Sequence, residues 1–192
     1  MPALGFAPEV LLRAQGRGLG MKAAIFDVDG VLTDGTLTIS ADGETTKAFH
    51  VLDGHGLKLL REGGIEPLVV SGRDSAPLRR RLADLGVSRV ACGAGDKLAA
   101  AEALLAPLQL EWPDVAAIGD DWPDLALLSR AGFAAAPPNA HAEVRAAVHY
   151  VTGARGGEGA AREFCDLLLM AAGRYAVLLA RHAGSGATLD AR

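Results

Sequence analysis

Three short apolar runs in this chain end in the same way, each breaking into a polar turn that contains glycine. Ala23-Ala24-Ile25-Phe26 runs into Asp27-Val28-Asp29-Gly30, Pro67-Leu68-Val69-Val70 into Ser71-Gly72-Arg73-Asp74, and Val115-Ala116-Ala117-Ile118 into Gly119-Asp120-Asp121. Segments with apolar residues at helical spacing lie between and after them, and this alternation of periods is the signature of βαβ units. Weaker strand signals at 89–91 and 132–135, the second halted by Pro137-Pro138, bring the expected parallel sheet to five or six strands. Helices are expected at 54–61, 76–85, 96–108, 121–129 and 140–148, with a long one over 160–181 and a short one within 8–17. The fold class is therefore α/β, a Rossmann-like doubly wound parallel sheet with helices on both faces.

One interval departs from this pattern. Residues 35–51 hold two runs of β-propensity on either side of Asp42-Gly43, which reads as a β-hairpin inserted after the first strand. No helical insertion of cap size is present, so only a minimal cap is expected. The expected organisation is an N-terminal extension with a short helix at 1–20, one catalytic domain at 21–172 that includes the hairpin, and a tail at 173–192 whose last ten residues fray.

Composition narrows the function. The 192 residues are 50% hydrophobic and 22% charged, enough to bury one sizeable core. A net charge of −4, with no basic block longer than Arg79-Arg80-Arg81, excludes a partner held by nonspecific phosphate attraction, so no nucleic-acid partner is expected. No apolar run reaches the roughly 18–20 residues that span a bilayer, and the N-terminus lacks the secretory pattern. The expectation is a cytoplasmic protein without a membrane partner. Cys92 and Cys165 have no neighbours in ligand spacing, which sets aside a disulfide framework and a zinc site.

In an open parallel sheet, ligands bind beyond the carboxyl ends of the strands, where all three polar turns fall. Asp27, Asp29, Ser71, Asp120, Asp121 and Asp124 would converge there, with Lys97 at the start of the helix after the fourth strand. Carboxylates so dense repel one another unless a cation lies among them, and Mg²⁺, which favours one or two carboxylates, waters and phosphate oxygens, suits the set. Asp27 can attack phosphorus to give an aspartyl-phosphate, and Asp29, two residues on across a turn, can exchange protons with the leaving and entering oxygens. Ser71-Gly72 at a helix start makes an anion nest. Each signal also has a plainer reading: Asp-x-Asp-Gly as a turn, Lys97 as a solvated lysine, Asp121 and Asp124 as acids at a helix N-terminus.

Asp27-Val28-Asp29-Gly30-Val31-Leu32-Thr33-Asp34, Ser71-Gly72-Arg73, Lys97 and Gly119-Asp120-Asp121-x-x-Asp124 resemble, in order and spacing, the four motifs of the haloacid dehalogenase-type phosphatases. Within that superfamily the hairpin, Gly43-Glu44 with Lys47-Ala48-Phe49, Asp53-Gly54-His55-Gly56-Leu57-Lys58 and the stretch from Gly156-Gly157 to Arg162-Glu163 resemble the 3-deoxy-D-manno-octulosonate 8-phosphate phosphatases of lipopolysaccharide precursor synthesis. The resemblance implies Asp27 as nucleophile and Asp29 as general acid/base. It implies Mg²⁺ held by Asp27, the Asp29 carbonyl and Asp120, and phosphate or substrate bound by Thr33, Ser71, Gly72, Arg73 and Lys97, with Asp124 orienting Lys97. The substrate would be the phosphomonoester of an acidic sugar.

The chain departs from those relatives at His50 and Leu52, where they usually carry Asn and Arg. Phosphatases of nine-carbon sialic-type acid phosphates, and a noncatalytic Mg²⁺-binding or oligomerising module, share the pattern and stay open as alternatives. A receiver-like domain is disfavoured by Asp29, since long-lived aspartyl-phosphates lack an acid/base at that spacing. The relatives' hairpins pair in a tetramer, which makes a homotetramer the implied state. The glycine-rich segment from Gly156 is expected to close over the site, with Arg155 or Arg162 meeting a substrate carboxylate.

Overall fold

A computed structural model describes residues 4–18 and 20–184. Its centre is a six-stranded sheet formed by β1 (Ala23–Phe26), β2 (Glu66–Ser71), β3 (Arg89–Cys92), β4 (Val115–Ile118), β5 (Phe133–Ala136) and β6 (Tyr150–Val151). All neighbours are parallel, in the order β3-β2-β1-β4-β5-β6. The chain winds outward from β1 to β3 on one side, then returns to β4 and winds outward on the other. The crevice between β1 and β4 is therefore the topological switch point.

Strand side chains alternate between two cores. Ala24 and Phe26 of β1 face a layer built from α2 (Val51–Glu62), α3 (Ala76–Leu85) and α7 (Ala160–Ala171), with α1 (Pro8–Ala14) and α8 (Tyr175–His182) at its edge. Ala23 and Ile25 face α4 (Lys97–Leu105), α5 (Leu125–Arg130) and α6 (Ala142–Ala147). Burial on both faces is why the strands read as continuous apolar runs. No helix among the described residues is long and apolar enough to cross a membrane.

Two expectations are corrected. The helix expected over 160–181 is two helices, because α7 stops in a Schellman motif: Gly173 takes φ +68°, its N–H donates to the Met170 carbonyl, and the Arg174 N–H donates to that of Leu169. The expected hairpin at 35–51 is a turn without a ladder. Ser40 and Gly43 exchange both backbone hydrogen bonds (2.9 and 3.0 Å), but no further ladder pairs the arms beyond them, and Val51 already begins α2. A two-stranded ribbon has little stability of its own, so its arms follow whatever surface they pack on. The end of the tail, residues 185–192, lies outside the described residues.

Candidate active site

β1 ends at Phe26, and Asp27 follows with its backbone N–H donating to the Ile118 carbonyl at the end of β4 (3.0 Å). Past β4, Gly119 leads to Asp120, so the two strands that flank the switch point each deliver a carboxylate to it. Oxygens of Asp27, Asp120 and Asp124 lie within 4.8 Å of one another. Lys97, the first residue of α4, turns inward, placing Nζ 2.6 Å from Asp27 Oδ1 and 2.7 Å from Asp124 Oδ1. Oδ2 of Asp124 accepts the backbone N–H groups of Asp120 (3.2 Å) and Asp121 (3.3 Å). Asp124 is thus fully engaged in aiming Lys97 and shaping the loop after β4.

The cleft above these groups encloses about 470 Å³ and is also lined by Asp29, Gly72, Arg73 and Asp121. Ser71, next to the lining residue Gly72, is buried at the end of β2, with Oγ accepting the Arg73 N–H at 3.2 Å. Thr33 lies in the loop that follows β1. Its buried hydroxyl accepts from Gly30 (3.3 Å) and Gly35 (3.2 Å) and donates to the Val28 carbonyl (3.4 Å), which closes the loop after β1 on itself.

The electrostatics are those of a site awaiting positive charge. Burial pushes the Asp27 carboxyl well above its usual range and the charge of Asp124 pushes it further, against the pull of Lys97. Burial, helped by Asp124, raises Asp120 to about 6. Burial works against the Lys97 ammonium, yet Asp27 and Asp124 overcome it and its pKa rises. Asp27 and Asp120, two hard oxygen donors within reach of each other and both with raised pKa, fit a small divalent cation such as Mg²⁺, with Asp124 behind them already engaged by Lys97.

Several groups at the site are not expected there from the sequence, although Glu44 and Lys47 belong to the stretch that carries the resemblance. Lys47, almost wholly enclosed, sets Nζ 2.5 Å from Asp29 Oδ1 and 3.0 Å from Glu44 Oε1. Glu44 in turn accepts from Ser75 Oγ (3.0 Å) and lies 3.5 Å from Arg73 Nε. Asn139, just past the two prolines that end β5, donates Nδ2–H to the Gly30 carbonyl (3.1 Å) and accepts the Gly156 N–H (2.8 Å). Through Asn139, and through the Gly157 N–H on the Val31 carbonyl (3.0 Å), the glycine-rich segment packs against the loop after β1. It braces that loop, and Arg162 is committed elsewhere: its Nε holds both carboxylate oxygens of Asp166 at 2.8 and 2.9 Å, beside an apolar cleft between α2, α7 and α8. Leu52 does not line the carboxylate cleft; it borders a shallow groove with Leu4 and Phe6.

Comparison with known proteins agrees with this geometry. A family profile of haloacid dehalogenase-like hydrolases matches residues 89–164. The 3-deoxy-D-manno-octulosonate 8-phosphate phosphatase KdsC of Haemophilus influenzae is 43% identical over 157 residues, 82% of this chain and 87% of that one. The enzyme of the same name from Yersinia pestis is 40% identical over 155 residues, 81% and 83% of the two chains. The structure of the Moraxella catarrhalis phosphatase, solved with magnesium, phosphate and the sugar acid, superposes with a TM-score of 0.85 at 39% identity, covering 91% of this chain and 98% of that one.

Proposed function

The chain belongs to the haloacid dehalogenase-like hydrolases, in the branch of the 3-deoxy-D-manno-octulosonate 8-phosphate phosphatases, and from that premise we propose how its own residues remove the phosphate of this acidic sugar. The carrying observation is the Lys97 ammonium held between Asp27 and Asp124 at the switch point, with Asp29 two residues beyond the nucleophile. Lys97 draws Asp27 toward its charged form against the opposing effect of burial, and its ammonium and the Ser71 hydroxyl receive the substrate phosphate, while Arg73 at the cleft wall meets the anionic sugar. An Asp27 oxygen attacks phosphorus, the bond to the sugar oxygen breaks, and Asp29 gives that oxygen its proton. Water then attacks the phosphoryl group, loses its proton to Asp29, and inorganic phosphate leaves as the bond to Asp27 breaks. Asp27, Asp120 and the Asp29 carbonyl would hold Mg²⁺, which would supply the positive charge that a phosphate dianion needs to approach a carboxylate.

A phosphate-release assay across a panel of sugar-acid phosphates with Mg²⁺ tests this. The eight-carbon substrate should give the highest kcat/KM. A preference for a nine-carbon acid phosphate would move the chain to the sialic-type branch, and no release from any sugar-acid phosphate would overturn the reading.

Leu37, Ile39, Val51 and Leu52 are 40, 60, 75 and 51% exposed, and no ladder pairs the arms they flank; association of four copies through residues 36–50 would cover both. The proposed substrate supports placing the reaction in lipopolysaccharide precursor synthesis, in the cytoplasm.

A further inference from the structure

Each of the paired acids at the end of β1 has its own enclosed lysine. Lys97 takes Asp27, and Lys47 takes Asp29 at 2.5 Å, although the chain has only four lysines. The Lys47 side chain is 3% exposed and that of Glu44 is 7%. Burying an ammonium costs several kcal/mol unless it is well paired, so a lysine used merely to pin a surface strap to the domain would be an expensive choice. Its second contact explains the geometry. Glu44 holds Nζ from the far side at 3.0 Å and is itself tied to Ser75, just before α3, so the ammonium is gripped between the strap and the domain and cannot follow Asp29 if that side chain turns. Lys47 occupies Oδ1 of Asp29, which assigns proton transfer to Oδ2.

We propose that Lys47, braced by Glu44, is a positioning residue that fixes the Asp29 carboxylate toward the leaving group, and that residues 36–50 are thereby a working part of the active site. This rests on the acid/base role given to Asp29 above. The reaction itself provides the discriminating measurement. A sugar alkoxide needs a proton to leave, whereas p-nitrophenolate leaves without one; hydrolysis of the aspartyl-phosphate needs the base with either substrate.

The test compares wild type with Lys47→Met, matched for melting temperature and loaded with Mg²⁺. On the sugar phosphate, single-turnover phosphoryl transfer should fall roughly 100-fold, the usual weight of a positioned acid or base. On p-nitrophenyl phosphate the first-turnover release of p-nitrophenolate should change less than about threefold, followed by a burst and accumulation of phosphoenzyme visible by intact mass, since the base is also displaced. If Lys47→Met does not fold, Glu44→Gln supplies the same comparison, with a smaller drop and the same split. Equal losses on both substrates in the first turnover, a rise in KM with kcat intact, or no change at all would each overturn the proposal. Wild-type protein that releases phosphate from neither substrate would instead sink the proposed function.

Discussion

A β-carbon on Gly30 would fall 2.0 Å from Oδ2 of Asp120, so the two loops at the switch point interlock and any side chain at position 30 must displace the Asp120 carboxylate. Gly30 also takes φ +94°, where a side chain adds roughly 1 kcal/mol or more of strain. Gly30→Ala should therefore fold but push Asp120 out of the carboxylate cluster. Activity should vanish with EDTA and return with Mg²⁺ in the wild type, while Gly30→Ala and Asp120→Ala should both need at least about tenfold more Mg²⁺ for half-maximal rescue, in line with the usual cost of disturbing metal-site support. Ca²⁺ should inhibit, because its longer bonds and looser geometry misplace the attacking carboxylate. A wild-type activation curve for Gly30→Ala would show that the interlock does not matter to the metal.

The two acids of the first loop should separate cleanly. Asp27→Asn removes the nucleophile, and turnover should fall by about 10⁴-fold or more, since neither a covalent intermediate nor an equivalent path remains. Asp29→Asn should still be phosphorylated by a substrate with a good leaving group and then stall, giving close to one phosphate per chain by intact mass after acid quench. Substantial steady-state turnover by Asp27→Asn would end the covalent scheme.

Asp27, Ser71 and Asp120 are legible in the sequence because each lies within two residues of the end of an apolar run, and the winding of a parallel sheet brings such ends together whatever the details of packing. Lys97 and Asp124 are legible from their spacing within the motifs. Lys47 is not. It lies on a segment whose course is set by tertiary contact, so neither period nor propensity says that its ammonium returns to Asp29. Asn139 is hidden for a similar reason: two prolines announce a turn after β5 but not that the next side chain bridges Gly30 and Gly156. Thr33 is legible as a motif hydroxyl beside the nucleophile, but its three partners inside the loop are set by tertiary contact and are not.

Asp53 gives a pH dependence of unusual sign. Its carboxylate, 1% exposed, accepts the Arg162 N–H (2.8 Å) and the Gly159 N–H (3.3 Å) at the start of α7. Burial outweighs those bonds and raises its pKa above the ordinary 3.8. The folded state thus keeps a proton that the unfolded chain has already lost, and the contribution of Asp53 to stability falls as pH rises through the window from 3.8 to the raised value. Asp53→Asn cannot titrate. Its melting temperature relative to wild type should therefore climb between pH 4 and pH 7, by about 2–4 °C for each kcal/mol of linkage in a chain of this size. A flat or falling difference would mean that Asp53 is not protonated early in the folded state.

The assembly prediction has to choose its residue with care. Phe49 looks like an interface residue in the sequence, but its ring packs against the core and lies under the Arg81 guanidinium at 5.9 Å, so a charge there would damage the protomer itself. Ile39, 60% exposed beside the Ser40–Gly43 turn, and Leu37, 40% exposed, are the positions free to meet another copy. Ile39→Asp should convert a tetramer to smaller species by light scattering at micromolar concentration, because an unpaired carboxylate buried at the interface costs several kcal/mol in each of four copies. The Lys47–Asp29 contact lies within one chain, so phosphoryl transfer in the dissociated protein should stay within about tenfold of wild type, with any larger loss appearing in KM if a neighbour's residues help hold the sugar. A wild-type protein that scatters as a monomer at full specific activity would show that residues 36–50 serve their own active site and no other.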